Sequence, residues 1–413
     1  MEILWLKTEL LHPLDKGGKI RTYQMLRELN REHAITYLTL DEGGDIDAVA
    51  GAEQYCDSLV RVPFRSARKG TARFYGELAR SIVSPLPYAV WKYRSPAMRR
   101  RIAELAHERS ADLVVCDFLA PAVNVPDGLP LPTVLFQHNV EAMIWKRHAA
   151  LASSPVRRAY MRLQWRRMQA FEQAQCRRFD HVVTVSVDDS DTIRSRYEVE
   201  RVSDVPTGVD TDYFRPSGTA RPDVGALVFT GSMDWMPNQD AMGWFSEEVL
   251  PRIRAECSQA TLTIVGRNPS AGVVALAQRH EGVTVAGTVP DVRPYLERAA
   301  VYVVPLRVGG GTRLKIFEAM AMERAIVTTS IGAEGLPVHD GEHLLIADSP
   351  RAFAAAVARL LADPGYAATL GRRAAALVRS HHGWRGAAAK FADICRDVLE
   401  RTANRSALLP QPS

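Results

Sequence analysis

Residues 301–321, "VYVVPLRVGGGTRLKIFEAMA", decide the fold. Val301, Val303 and Val304 form a short apolar run, as expected of a parallel strand buried on both faces. Leu314, Phe317 and Ala321 recur at i, i+3 and i+7, which predicts a helix with one apolar face. Gly309, Gly310, Gly311 and Thr312 fall between them, on a strand-to-helix loop. The first N–H groups of a helix have no backbone partner, and together with the dipole they favour an anion. Arg313 and Lys315 add positive charge where the dipole alone prefers acids, which points to a bound phosphate. Glu318 lies three residues after Lys315 and shares its face. An ordinary ion pair between the two is the alternative to a ligand-binding role.

The same alternation runs outward in both directions. Apolar runs at 3–10, 34–40, 58–64, 111–118, 133–139 and 181–186 read as strands, and the pattern restarts at 226–232, 261–266, 283–289, 301–306 and 325–330. Helical patterns separate them, including 19–32, with Ile20, Met25 and Leu29 inward, and a long one over about 155–178. Alternating β and α elements imply parallel sheets covered by helices on both faces. The Pro- and Gly-rich stretch "YFRPSGTARPD" (213–223) is the best linker candidate. A chain of 413 residues exceeds the usual single core, so two doubly wound domains are expected. The expected division is 1–208 and 209–382, then a helix over 383–402 and a frayed tail over 403–413.

Composition narrows the class. Apolar content of 46% and charged content of 24% are globular values. The net charge of +5 is unevenly spread: Arg61 to Ser110 holds twelve Lys/Arg against three acids, and Lys146 to Arg178 holds nine against Glu172 alone. Such clusters suit an acidic substrate, nucleic acid or an anionic membrane surface, or form a solvated helix face. Five widely spaced cysteines with no C-x-x-C pair argue against a disulfide framework or structural zinc. The opening "MEILWLKTELLHP" has no basic n-region, and no uncharged apolar run nears the ~20 residues of a membrane span. A cytoplasmic protein is expected, peripheral on the inner face of the plasma membrane if the basic clusters meet lipid.

In open α/β sheets ligands bind outside the carboxyl ends of the strands, so the loops there carry the site candidates. Gly17 and Gly18 follow the first strand and can offer backbone N–H groups to an anion. No G-x-G-x-x-G follows them and no P-loop pattern occurs, which disfavours a dinucleotide fingerprint and a P-loop NTPase. "FQHNVE" places His138 at a strand end beside Asn139 and Glu141, suited to donating to a sugar hydroxyl or shuttling a proton near neutral pH. Asp117 ends the preceding strand and is a weaker candidate, with capping of the next helix as the alternative. In the second half, Gly231 and Ser232 can bring backbone to a phosphate, Arg267 can face a diphosphate, and the loop through Val289 and Pro290 can read a base. No His/Asp/Glu cluster has metal-ligand spacing.

Taken in order, "KGGKIR", "QHNVE", "VSDVPTGVDTDYFRP", "GSMDWMPNQDA", "LTIVGR", "VTVAGTVPDV", "VVPLRVGGGTRLKIFEAMA" and "IVTTSIGAEGL" resemble a GT-B glycosyltransferase of family 4 over about residues 5–350. The nearest resemblance is to the bacterial exopolysaccharide-associated sugar transferases. It implies an α/β fold of two Rossmann-like domains facing a cleft, with the acceptor side in the first and the nucleotide sugar in the second. It implies that Glu318 holds the donor ribose and that Gly309 to Thr312 meet the diphosphate and sugar. His138 is implied near the reacting sugar carbon, Gly17 and Gly18 near phosphates and acceptor, and Val289 and Pro290 at the base. The helix from Trp384 is implied to return to the first domain.

Two positions depart from the family pattern. Gly310 stands where the E-x7-E motif has its first glutamate, and "GSMDWMPNQD" lacks the usual Arg and Lys that grip the diphosphate. Arg313 and Lys315 are the proposed replacements. The implied reaction is retaining transfer of a sugar from a nucleoside-diphosphate sugar to a hydroxyl of a glycan or polyprenyl-linked acceptor, without a metal cofactor. Alternatives are a nucleotide-sugar epimerase, which needs no acceptor, and a non-catalytic nucleic-acid binder. The last is ranked lowest, because aromatic residues do not interleave with the basic runs.

Overall fold

The computed structural model describes residues 1–14, 17–43, 46–68, 70–108, 110–151, 154–218, 221–308 and 314–407. The loop of Gly309, Gly310, Gly311, Thr312 and Arg313 lies outside the described residues, as does the end of the expected tail, 408–413. The chain divides into two compact units, Met1–Pro206 with Ala387–Ser413, and Thr207–Gly386.

The first unit is a seven-stranded parallel sheet of β1 (Glu2–Lys7), β2 (Ala34–Asp41), β3 (Ser58–Pro63), β4 (Leu113–Asp117), β5 (Thr133–Phe136), β6 (His181–Thr184) and β7 (Val202–Asp204), in the order β3-β2-β1-β4-β5-β6-β7. Ile3 to Leu6 and Leu113 to Cys116 are buried without alternation, because helices cover both faces of the sheet. The second unit is a six-stranded parallel sheet of β8 (Ala226–Thr230), β9 (Thr261–Val265), β10 (Val283–Gly287), β11 (Val301–Val304), β12 (Ile326–Thr328) and β13 (Leu345–Ile346), ordered β10-β9-β8-β11-β12-β13. Each sheet reverses its strand order once, between β1 and β4 and between β8 and β11. Such a reversal opens a crevice at the strand carboxyl ends, where α/β folds bind ligands.

The periodicity differs from the structure in informative places. β7 and β13 have three and two residues, too few for a period to register. The expected strand 133–139 stops at Phe136, after which Gln137 N donates to Val183 O at 2.7 Å and the chain turns away. The first helix runs Gly17–Leu29 and buries Met25, Leu26 and Leu29, but Ile20 is only half-buried. Lys19, Arg21 and Thr22 are buried instead, so the first turn of this helix turns its polar side inward. Helix Leu314–Ala321 buries Ile316, Ala319 and Met320 as well as Phe317 and Ala321, a wider face than the i, i+3, i+7 stripe. The long helix is Pro155–Arg178.

Helix Trp384–Ala407 contributes to the first unit from Ala387 onward. Phe391 is fully buried, with its ring 5.6 Å from Trp5 and 5.1 Å from Phe136. This aromatic cluster packs the returning helix against β1 and β5.

In the second unit β8 and β9 come so close at their ends that a Cβ on Gly266 would lie 1.7 Å from the Gly231 carbonyl oxygen. Only glycine fits there. A Cβ on Gly76, in helix Ala72–Ile82, would meet nothing within 4 Å. Gly266→Ala is therefore expected to cost about 1–3 kcal/mol or more, and Gly76→Ala to gain about 0.5–1 kcal/mol. Urea unfolding of the two variants checks the contrast.

Candidate active site

At the β1/β4 reversal, the last residues of the two strands meet. Asp117, fully buried, accepts at Oδ2 from Lys7 Nζ at 2.7 Å, Thr22 Oγ1 at 2.6 Å and Trp5 Nε1 at 3.1 Å. Lys7 Nζ also donates to Thr22 Oγ1 at 2.6 Å. His138 Nε2 lies 2.6 Å from Asp117 Oδ1. Burial alone would raise the Asp117 carboxyl, but Lys7 and His138 hold it well below the usual carboxylate range. The Lys7 ammonium is lowered by the same burial, with Asp117 opposing. Asp117 is thus the hub of a buried charge network, where the sequence suggested no more than a helix cap.

His138 is 1% exposed. The Phe118 ring stacks on it, with centroids 3.8 Å apart, and Lys7 Nζ sits 4.3 Å from the Phe118 centroid. Phe118 is held at φ +71°, a sparsely populated region for such a side chain, and that conformation accompanies the stacked ring. Gly18 faces the ring closely: a Cβ there would lie 2.7 Å from Phe118 Cζ. Burial pushes the His138 pKa down to about 3, with Asp117 only partly opposing. Burial thus favours the neutral imidazole, a hydrogen-bonding group, over the charged form. Its Nδ1 has no hydrogen-bond partner among the described residues.

The rest of "QHNVE" is braced from behind. Glu172, fully buried, accepts from Glu141 N at 2.8 Å, Ala142 N at 3.0 Å and Tyr197 OH at 2.7 Å, which caps helix Glu141–Leu151. The one acid of the second basic cluster is therefore an internal anchor. Glu141 is raised to about 7 by burial and by Glu172 beside it.

In the second unit, Thr230 at the end of β8 and Tyr302 in β11 bridge the strand reversal, with hydroxyls 2.5 Å apart. Gly231 follows; a Cβ on it would lie 2.5 Å from Lys315 Nζ, so the glycine makes room for that ammonium. Lys315 Nζ donates to Asn238 Oδ1 at 3.1 Å and stands 4.1 Å from the Phe229 ring centroid. Arg267 donates to Ser232 Oγ at 3.1 Å and pairs with Asp234 at 3.3 Å. Val289 packs half-buried against the second core and Pro290 is exposed, both in the loop after β10. Gly231, Arg267 and Lys315 thus gather around one set of strand ends, and Val289 and Pro290 lie in the loop after the edge strand β10, two strands from the reversal.

Glu318 is half-buried, and its carboxyl makes no hydrogen bond or ion pair with the described residues. The ordinary Lys315–Glu318 ion pair is absent. Burial raises the Glu318 carboxyl to about 7, and Lys315 opposes this only in part. A carboxylate without partners at a strand reversal is an acceptor with open capacity, and two vicinal hydroxyls are its natural complement. Among the described residues no group of three or more His, Cys, Asp or Glu could hold a metal ion.

Sequence reasoning missed Lys7, Arg21 and Thr22. The signal was the lysine closing an otherwise apolar strand and the polar spacing of "GGKIRT".

Two family sequence models match the chain, one described as Glycosyltransferase Family 4 over residues 16–213 and one as Glycosyl transferases group 1 over 225–363. The chain belongs to the family 4 glycosyltransferases of the GT-B fold. A D-inositol 3-phosphate glycosyltransferase of Acidothermus cellulolyticus is 30% identical over 50% of this chain and 50% of its own length. The lipopolysaccharide core biosynthesis mannosyltransferase LpcC of Rhizobium leguminosarum bv. viciae is 26% identical over 60% of this chain and 73% of its own. Three of the curated relatives are matched over only 35%, 51% and 50% of their lengths. Among solved structures, sucrose-phosphate synthase from Thermosynechococcus elongatus superposes with a TM-score of 0.70 at 18% identity, covering 97% of this chain and all of that one. Anabaena HepE in complex with UDP superposes at 0.65 and 12% identity, covering 96% and 100%. At such identities the likeness speaks for the fold alone.

The pH dependence of stability follows from Glu318. An unfolded glutamate titrates near ~4.3, whereas here the carboxyl is raised to about 7. Its contribution to stability is full below the unfolded value and is lost as pH rises through about 7. The melting temperature of Glu318→Gln, relative to wild type, is expected to rise between pH 5 and pH 8. A difference that stays flat with pH contradicts the assigned environment.

Proposed function

We propose that the protein transfers a sugar, with retention, from a nucleoside-diphosphate sugar to a hydroxyl of a glycan or lipid-linked acceptor in cell-surface polysaccharide synthesis. The observation that carries the reading is the unpaired Glu318 carboxylate beside Lys315 at the second sheet's strand reversal. Ribose offers two adjacent hydroxyls to such a carboxylate, each charge-assisted hydrogen bond being worth about 1.5–3 kcal/mol. As the glycosidic bond breaks, negative charge grows on the departing diphosphate. Lys315, and Arg313 from the neighbouring loop, stabilise that charge, which is where preorganised cations act on the barrier. Cations of the chain take the place of a metal cofactor in this reading. The departing phosphate oxygen takes the acceptor's proton, since His138, at about 3, is a poor base at pH 7. Attack from the leaving-group face gives retention. The UDP in HepE supports the donor class, and the acceptors in the relatives' names, an inositol phosphate and a lipopolysaccharide core, support the acceptor class.

A membrane-facing patch fits a lipid-linked acceptor. Helix Ala72–Ile82 is held to helix Pro155–Arg178 through Arg167, which donates to Ser81 O at 2.9 Å and Ile82 O at 2.5 Å. The first of these helices exposes Tyr75, Arg80 and Ile82, and the second exposes Val156, Arg157 and Arg162. Apolar tips among arginines suit an anionic leaflet, each cation adding about 1 kcal/mol. No helix among the described residues is long and apolar enough to cross a membrane. The site of action in this reading is the cytoplasmic face of the membrane.

A thermal-shift screen of UDP, GDP and ADP tests the donor site. One of them is expected to stabilise the wild type, by about 2.7 kcal/mol at a hundredfold excess over Kd, and Glu318→Ala to lose most of that gain. No stabilisation, or an equal response of the variant, contradicts the reading. Release of an isomerised free sugar from the nucleotide sugar alone favours the epimerase. In co-sedimentation at low salt, vesicles rich in phosphatidylglycerol are expected to retain the protein, and an Arg157→Glu/Arg162→Glu variant to stay in solution. Wild type left in the supernatant removes the membrane patch.

A further inference from the structure

Arg21 is the most unusual cation in the first unit. It is 5% exposed, yet it makes no ion pair among the described residues. Its one hydrogen bond is long, from Nη1 to the His138 carbonyl at 3.5 Å, and its buried Nε has no partner. A guanidinium carries five donors in a planar fork, so most of its capacity is unused. A buried cation normally keeps a counter-ion, because desolvation costs several kcal/mol otherwise. The charges around it do not supply one. Asp117 is committed to Lys7, Thr22 and Trp5, with His138 against its other oxygen. Asp189 attracts Arg21 from a distance, and its Oδ2 accepts from Ser186 Oγ at 2.9 Å. Burial lowers the Arg21 pKa to about 10, so it remains charged at neutral pH.

The position of the side chain suggests what is missing. Arg21 lies one turn into helix Gly17–Leu29, and helical side chains lean toward the N-terminus. The first turn of this helix contains no acid, and the contact of Arg21 with the His138 carbonyl places its guanidinium just beyond the end of β5.

We infer that Arg21 is a binding residue for an anionic group, phosphate or carboxylate, on the acceptor. The inference rests on the proposed transferase reading and names its acceptor class: a glycan or lipid bearing a negative charge near the hydroxyl that is glycosylated. The planar fork takes two oxygens of that group, and burial makes the pairing strong.

The test uses inorganic phosphate and acetate as probes of the full chain, by thermal shift against chloride at equal ionic strength, with and without saturating UDP. Wild type is expected to gain several degrees from one of the two anions, and which one distinguishes a phosphate from a carboxylate acceptor. The gain is expected to persist under UDP, to vanish in Arg21→Gln, and to fall by half or more in Arg21→Lys, which keeps the charge and loses the fork. If Arg21→Gln does not fold, Arg21→Lys alone decides. Three results overturn the inference: no anion protects wild type beyond chloride, the folded variants respond as wild type does, or UDP abolishes the gain, which assigns the anion to the donor's diphosphate. Failure of UDP itself to bind is a separate outcome, which counts against the donor site and is read without either probe.

Discussion

A parallel sheet obliges every strand to deliver its following loop to the same edge, and where the strand order reverses, two such loops diverge and leave a crevice. Both units depend on this constraint. In the first, the ends of β1 and β4 bring Lys7 and Asp117 together, with His138 arriving from β5. In the second, β8 and β11 bring Thr230 against Tyr302, the loop after β8 carries Gly231, and the helix after β11 carries Lys315 and Glu318. None of these pairs is close in sequence; topology alone assembles them.

The two crevices manage charge differently. In the first, Asp117 Oδ2 accepts from three donors with His138 close to Oδ1, and breaking such a network by removing one partner typically costs about 3–5 kcal/mol. That closure makes Asp117 a scaffold: it fixes Lys7 and Thr22, and it stands behind a neutral His138. Arg21 and Glu318 are the opposite case. Each has been drawn out of water without a full set of partners, and each bears a pKa moved toward its neutral form by burial. Such groups weaken the empty protein and return that free energy when a complementary ligand arrives. One is cationic and the other anionic, which matches an anionic acceptor group on one side and the hydroxyls of a nucleoside on the other.

The strands were legible because buried parallel strands are near-continuous apolar runs, as in "VYVV" and "LVVC". The helix Pro155–Arg178 was legible from its length. Gly18, Gly231, Lys315 and Glu318 could be picked out because they follow strands, and glycine or charge there needs a reason. The polar face of Gly17–Leu29 was not legible, since hydrophobic periodicity is silent about a helix turn that buries Lys19, Arg21 and Thr22. Nor was the burial of His138, on which Phe118 stacks and Phe136 packs, with Phe391 against Phe136 from 253 positions along the chain (391 minus 138). Burial by residues so distant leaves no local mark in the chain.

A crystal structure with UDP bound tests the central claim most directly. The account predicts ribose hydroxyls donating to both Glu318 oxygens and Lys315 Nζ turned from Asn238 to a phosphate oxygen. UDP seated elsewhere, with Glu318 facing solvent and Lys315 still on Asn238, would contradict it.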